Sequence, residues 1–209
     1  GPQPYPAPRA MTVQDIHAAT AEYVNASKNA IAAGFDGVEL HGANGYLIDQ
    51  FINPHANKRT DDYGGSAAGR NRFALETAKA VAAAIGESRV GMRLSPFNPF
   101  NGLGPFEDTE EAFVSLASGL SDLGLVYLHL ADMSSMAGYE FPDSAKSRIR
   151  EVFRGALILN GGYDPAKAAQ HIAEGRADLI AFGRPFISNP DFVERVKVGA
   201  ELAQPNFDT

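Results

Sequence analysis

Cysteine is missing altogether from the 209-residue chain, which excludes disulfides, thiolate chemistry and cysteine zinc sites. A reducing, cytoplasmic compartment is compatible with that composition and is the expected location. No apolar run reaches the length that spans a bilayer, and the N-terminus lacks a signal-peptide pattern. Basic residues are the minority, 18 against 25 acids, for a formal net charge of −7. A nucleic-acid partner needs a concentrated basic face, so neither nucleic acid nor membrane is expected as a partner. No two of the five histidines have ligand spacing with a carboxylate between them, and no metal site is expected. Walker loops and G-x-S-x-G elbows are absent too.

What is present is an apolar fraction of 44%, enough for a packed core. The opening carries prolines at 2, 4, 6 and 8, so residues 1–11 are expected to be extended, with Gly1-Pro2 read as a cloning remnant. From Thr12 the sequence alternates between helical and strand patterns. Thr12 is a good N-cap with Asp15 in the first turn. Ile16, Ala19, Tyr23, Ala26, Ala30 and Ile31 follow at helical spacing, and Gly34 ends the run. A strand over 37–41 comes next. Further helices are predicted over 69–85, 108–123, 144–153 and 165–174, with Pro165 suited to N1. The strands that follow them fall at 90–94, 126–130, 156–160 and 179–182, and a closing helix begins near Asn189.

Five helix-then-strand units with short, mostly apolar strands predict an α/β fold with a parallel sheet, each strand buried on both faces. Polar residues at or just past all the strand ends (His41, Asn44, Arg93, Asp132, Asn160, Arg184) favour a (β/α)8 barrel, whose chemistry sits on that rim. The first strand also lacks the G-x-G-x-x-G turn of a dinucleotide fold. A complete barrel takes about 250 residues and eight strands. Residues 12–209 therefore read as the C-terminal part of one barrel domain, a partial TIM barrel made of strands 4 to 8.

The densest chemistry lies in His41-Gly42-Ala43-Asn44-Gly45-Tyr46. His41 and Asn44 are suited to hydrogen-bonding a carbonyl or nitro oxygen, and Tyr46 offers a proton beside them. Read as bare chemistry, the segment serves equally as a strand-terminal turn. Arg93 stands inside an apolar strand, where a charge needs a ligand or a partner such as Glu39; the cost of burial favours a ligand. Gly161-Gly162 and Gly183-Arg184 follow the last two strands, where such barrels place a phosphate. His129 is expected to be a satisfied core residue, and His17 and His171 to lie on the surface.

The stretch GFDGVELHGANGYL at residues 34–47, then Gln50-Phe51, NKRTDDYGGS at 57–66 and FGRPFISNPD at 182–191 resembles the Old Yellow Enzyme family. The resemblance covers nearly all of residues 10–209. It implies an FMN-dependent ene reductase that takes electrons from NADPH or NADH and reduces the activated C=C of enones, maleimides or nitroalkenes. On that resemblance His41 and Asn44 bind the substrate carbonyl and the flavin pyrimidine edge, and Tyr46 protonates the α carbon. Arg93 lies against the flavin, while Gly161, Gly162, Gly183 and Arg184 hold the phosphate. The family's first three strands have no counterpart, so a truncated and inactive portion is one expectation. A non-catalytic partial-barrel scaffold, associating with itself or with a complementary N-terminal portion, is the competing one. An aldolase or isomerase barrel lacks support, because no lysine or carboxylate pair occupies the strand ends. Glu39 is the only strand carboxylate, expected to share a side with His41 only if its strand is irregular.

Overall fold

A computed structural model describes residues 6–134 and 139–206. Its elements are α1 (Val13–Ala32), β1 (Val38–Gly42), α2 (Leu47–Ile52), α3 (Ala67–Ile85), β2 (Val90–Leu94), α4 (Thr109–Asp122), β3 (Tyr127–Ala131), α5 (Asp143–Val152), β4 (Ala156–Asn160), α6 (Pro165–Ala173), β5 (Leu179–Ala181), α7 (Arg184–Ser188) and α8 (Phe192–Val198). The five strands form one parallel sheet in sequential order, β1-β2-β3-β4-β5.

Local chemistry starts α1 and α6 where the pattern said it would, and α3 two residues earlier, at Ala67. The Thr12 hydroxyl accepts from the Asp15 N–H at 3.1 Å while Asp15 accepts from the Thr12 N–H at 2.7 Å, a reciprocal capping box. Ser66 caps α3 through the Gly69 N–H, and Asp164 caps α6 with Pro165 at its start. Gly34, at φ +96°, follows the end of α1.

Alternation along each strand decides which side chains meet the helices. Leu40, Met92, Leu94, Leu128, Leu130, Leu157 and Leu159 point to the helical side and are buried with Phe73, Leu116, Leu120, Ile149 and Phe153. Each large side chain so buried stabilises the fold by roughly 1.5–3 kcal/mol. The other side of the sheet carries Glu39, His41, Arg93, Tyr127, His129, Ile158, Asn160 and Leu179 and is only partly covered, with Leu179 53% exposed. Burial on both faces was expected, but here one face is buried and the opposite one is polar at its centre. Glu39 also differs from expectation. Strand β1 is regular, and positions two apart share a side, so Glu39 and His41 lie together without any irregularity.

Among the described residues the helices α2 and α7 were not predicted by the periodicity, both being too short to show a helical repeat. Of the Pro-rich opening, residues 6–12 carry no regular structure, while Gly1-Pro2 lies outside the described residues.

Candidate active site

Parallel pairing stacks the open face into two rows. One row aligns Glu39, Gly91 and Tyr127; the next, towards the carboxyl ends of the strands, aligns His41, Arg93 and His129. Gly91 has no side chain, and the Tyr127 ring lies across it; a Cβ at Gly91 would overlap that ring. The Tyr127 hydroxyl thereby reaches from the third strand to Glu39 on the first. Glu39 Oε2 also meets His129 Nδ1 at 3.0 Å. Burial pushes the Glu39 carboxyl up, but His129, Tyr127 and the Arg93 charge together bring it below its ordinary value. The carboxylate of Glu39 is thus claimed by His129 and Tyr127, and the expected alternative of an Arg93–Glu39 ion pair is not formed. Among the described residues Arg93 makes no hydrogen bond or ion pair. His129 is only half satisfied, since its buried Nε2 has no partner among the described residues.

His41 sits at the rim end of β1. Burial lowers its pKa, the Arg93 charge lowers it further, and Glu39 opposes both. At neutral pH the ring is therefore uncharged and offers one N–H and one lone pair. Tyr46 stands at the start of α2, 52% exposed, with its ring centroid 5.2 Å from that of His41.

Between them Asn44 adopts a left-handed conformation at φ 59°, and three neighbours hold it. Its N–H donates to Ser95 Oγ at 2.7 Å, its carbonyl accepts from Asn101 Nδ2 at 2.8 Å, and its Oδ1 accepts from Asn98 Nδ2 at 2.8 Å. Below this loop lies Asp49, 4% exposed, which accepts from the Gly45 N–H at 2.8 Å and from Ser95 Oγ at 3.4 Å. Burial raises the Asp49 carboxyl to about 6, against the lowering effect of those two donors.

A second cluster occupies the same rim at the other end of the sheet. Asn160 Nδ2 donates to the Ala181 carbonyl at 2.8 Å, tying the ends of β4 and β5 together. A cavity of about 370 Å³ is lined by the loops that follow, including Gly161, Gly162, Gly183 and Arg184. Gly161 has φ +114°, and a Cβ there would overlap the Asp132 carbonyl oxygen, so glycine is required. At Gly183, by contrast, a Cβ would meet open space, and that space belongs to the cavity. Asp132 also lines it, but Lys146 neutralises the carboxylate at 2.9 Å. A bare backbone beside a guanidinium, with the one acid already paired, is a donor set that fits a phosphate. The unpartnered Arg93 cation and the neutral donors His41 and Asn44, farther along the rim, fit an electron-rich ring with carbonyl acceptors.

The site residues read from the sequence therefore fall on one edge of the sheet, in two groups: His41, Asn44, Tyr46 and Arg93 at β1 and β2, and Gly161, Gly162, Gly183 and Arg184 at β4 and β5. Ser95, Asn98, Asn101 and Asp49 were not singled out. The run Asn98-Pro99-Phe100-Asn101-Gly102, separated from the end of β2 by three residues, was the available signal, since such loops build barrel sites. His171 is not a plain surface residue: its Nδ1 lies 3.0 Å from the Tyr163 hydroxyl and its Nε2 3.1 Å from Arg176. His17 is exposed. Among the described residues no group of three or more His, Asp or Glu is placed to hold a metal, and no helix is long and apolar enough to cross a membrane.

Comparison with known proteins places this geometry. The sequence profile described as NADH:flavin oxidoreductase / NADH oxidase matches residues 3–203. Aldehyde reductase FrzD of Cladobotryum sp is 43% identical over 207 residues, 97% of this chain and 55% of that protein. A probable flavin mononucleotide-dependent alkene reductase of Leishmania infantum is 42% identical, over 98% of this chain and 55% of its own length. Morphinone reductase, solved in complex with tetrahydroNAD, superposes with a TM-score of 0.92 at 40% identity, covering 99% of this chain and 55% of that one. The chain thus spans about half the length of the curated relatives it matches.

Proposed function

The chain belongs to the NADH:flavin oxidoreductase / NADH oxidase family, and from that premise we propose that its open sheet face is the flavin-facing wall of an FMN-dependent ene reductase. On this reading the five strands are the last five of a (β/α)8 barrel, and the partly covered face is the barrel interior. The observation that carries the proposal is the convergence of His41, Asn44 and Tyr46 on one rim with the unpartnered Arg93 beside them.

Bound FMN would supply the hydride chemistry that couples NADH or NADPH to an activated alkene. The protein's own residues do the rest. Gly161, Gly162, Gly183 and Arg184 would hold the phosphate, and Arg93 would place positive charge against the ring system. His41, neutral at working pH, and Asn44 would each donate a hydrogen bond to the carbonyl or nitro oxygen of the substrate, withdrawing electron density from its C=C. Tyr46, exposed at the rim, would deliver the proton to the α carbon, a role that general acids fill at a gain of about 10²–10⁴ in rate.

The deciding experiment is a visible absorption titration of the chain with FMN, followed by NADPH and then cyclohex-2-enone. A bound-flavin band that bleaches with NADPH and returns with the enone is the expected result. Absence of flavin uptake at any concentration would overturn the reading for this chain and favour the partial-barrel scaffold instead.

A further inference from the structure

The side-chain amide of Asn44 has two orientations, and only one turns hydrogens outward. A chain of bonds that begins at a main-chain donor settles the choice. The Phe100 N–H can only donate, and it gives its hydrogen to Asn98 Oδ1 at 3.0 Å. Asn98 Nδ2 consequently faces Asn44 and donates to Asn44 Oδ1 at 2.8 Å. Asn98 is 7% exposed, so little water is at hand to rescue the reversed arrangement. Reversal would set its NH2 against the Phe100 N–H, two donors facing each other with neither bond made. Asn44 itself is pinned at both main-chain atoms by Ser95 and Asn101, leaving the side-chain amide its only freedom. With Oδ1 occupied, Nδ2 is the polar edge that remains, and it donates to nothing among the described residues.

We propose that Asn98 is a positioning residue, which locks the Asn44 amide with its NH2 edge free and so dedicates the site to ligands that present an oxygen acceptor. The proposal deepens the reading in which His41 and Asn44 hold the substrate oxygen, and rests on it for the identity of the ligand. Asn98 adds no contact to the substrate; its effect passes through Asn44.

Two substitutions separate this role from plain packing. Asn98→Asp keeps the size and keeps an oxygen towards the Phe100 N–H, but it places an acceptor against Asn44 Oδ1. Asn44 then turns over, gives its NH2 to the new carboxylate and points Oδ1 at the ligand. Asn98→Ala removes both bonds and leaves the Asn44 amide free to turn. A packing role makes the isosteric Asp the milder change, whereas an orienting role makes it the worse one.

The test measures binding of cyclohex-2-enone to the flavin-loaded chain by calorimetry. It also records the Asn44 side-chain NH2 signals in a ¹H–¹⁵N spectrum without ligand, with melting temperature as the control for folding. Expected is weaker binding by about fivefold for Asn98→Ala and by about thirtyfold or more for Asn98→Asp, at one to two hydrogen bonds' worth of affinity. In the spectrum the Asn44 NH2 exchanges rapidly with water in the wild type. In Asn98→Asp one of its protons moves downfield and becomes protected. Binding by the Asp variant equal to or tighter than by the Ala variant overturns the proposal, as does an Asn44 NH2 already protected in the wild type. Should the wild type bind neither flavin nor enone, the functional reading fails on its own. The spectrum then decides alone, with unchanged Asn44 signals in Asn98→Asp sinking the orienting role.

Discussion

At the scale of single residues, the buried acid beneath the rim loop makes the stability of the fold depend on pH. Asp49 titrates near 6 in the folded chain against about 3.9 for an exposed aspartate. Below pH about 4 the folded and unfolded chains both hold the proton, and between 4 and 6 only the folded chain does. Stability contributed by the neutral carboxyl is therefore lost as pH rises through about 6, on the order of 2–3 kcal/mol when the window is complete. Asp49→Asn keeps an oxygen for the Gly45 N–H and removes the ionisation. Urea unfolding at pH 5 and pH 7.5 should show the wild type losing about 1.4 kcal/mol more than the variant, since that interval covers roughly one pH unit of the window. Equal losses would place the charge of Asp49 in contact with water. Neither Asp49 nor Asn98 stood out in the sequence, for different reasons. Asp49 sits in an apolar run where a lone acid reads as the exposed edge of a helix. Asn98 sits in a Pro-Asn-Gly loop where asparagine is the ordinary turn residue. His41, Asn44 and Tyr46 were legible because two glycines and a strand end bracket them.

At the scale of elements, strand alternation carried most of the fold, and its neglect misplaced Glu39 relative to His41. Five parallel strands and the longer helices followed from period and capping, as with Thr12 and Asp15. The short α2 was missed because Leu47-Ile48-Asp49-Gln50-Phe51-Ile52 buries four of its six positions and shows no repeating face. The row Glu39, Gly91, Tyr127 needed the register itself, which no single strand discloses. That row makes a prediction at this scale. Gly91→Ala puts a methyl where the Tyr127 ring lies, so the ring must swing away and release Glu39. A loss of about 1–3 kcal/mol in stability is expected from the overpacking. Because the Tyr127 hydroxyl helps to hold the Glu39 carboxyl down, its pKa should also rise, read from a ¹³C carboxyl titration. Unchanged stability together with an unchanged Glu39 titration would show that the ring does not depend on the glycine.

At the scale of the whole molecule, the proposed arrangement has the two rim clusters divide one ligand between them, and that division can be measured as stability. A ligand held at a hundred times its dissociation constant stabilises the folded chain by about 2.7 kcal/mol, or about 5–10 °C in melting temperature for a chain of this size. FMN engages both clusters in the proposed arrangement: its ring meets Arg93, His41 and Asn44, and its phosphate meets the cavity formed by the Gly161-Gly162 and Gly183-Arg184 loops. Riboflavin carries the same ring without the phosphate and forfeits the charge-assisted bonds at the second cluster. At equal concentration FMN should therefore raise the melting temperature by several degrees and riboflavin by distinctly less. Arg184→Ala should bring the FMN shift down towards the riboflavin value while leaving the riboflavin shift unchanged. Equal shifts for FMN and riboflavin in the wild type would remove the phosphate from the β4–β5 rim. An Arg184→Ala variant that weakens both ligands alike would make Arg184 a support of the loop and not a holder of the phosphate. The comparison separates the clusters because they sit towards opposite ends of one sheet, with β3 between them, so that a change at one end leaves the donors of the other in place.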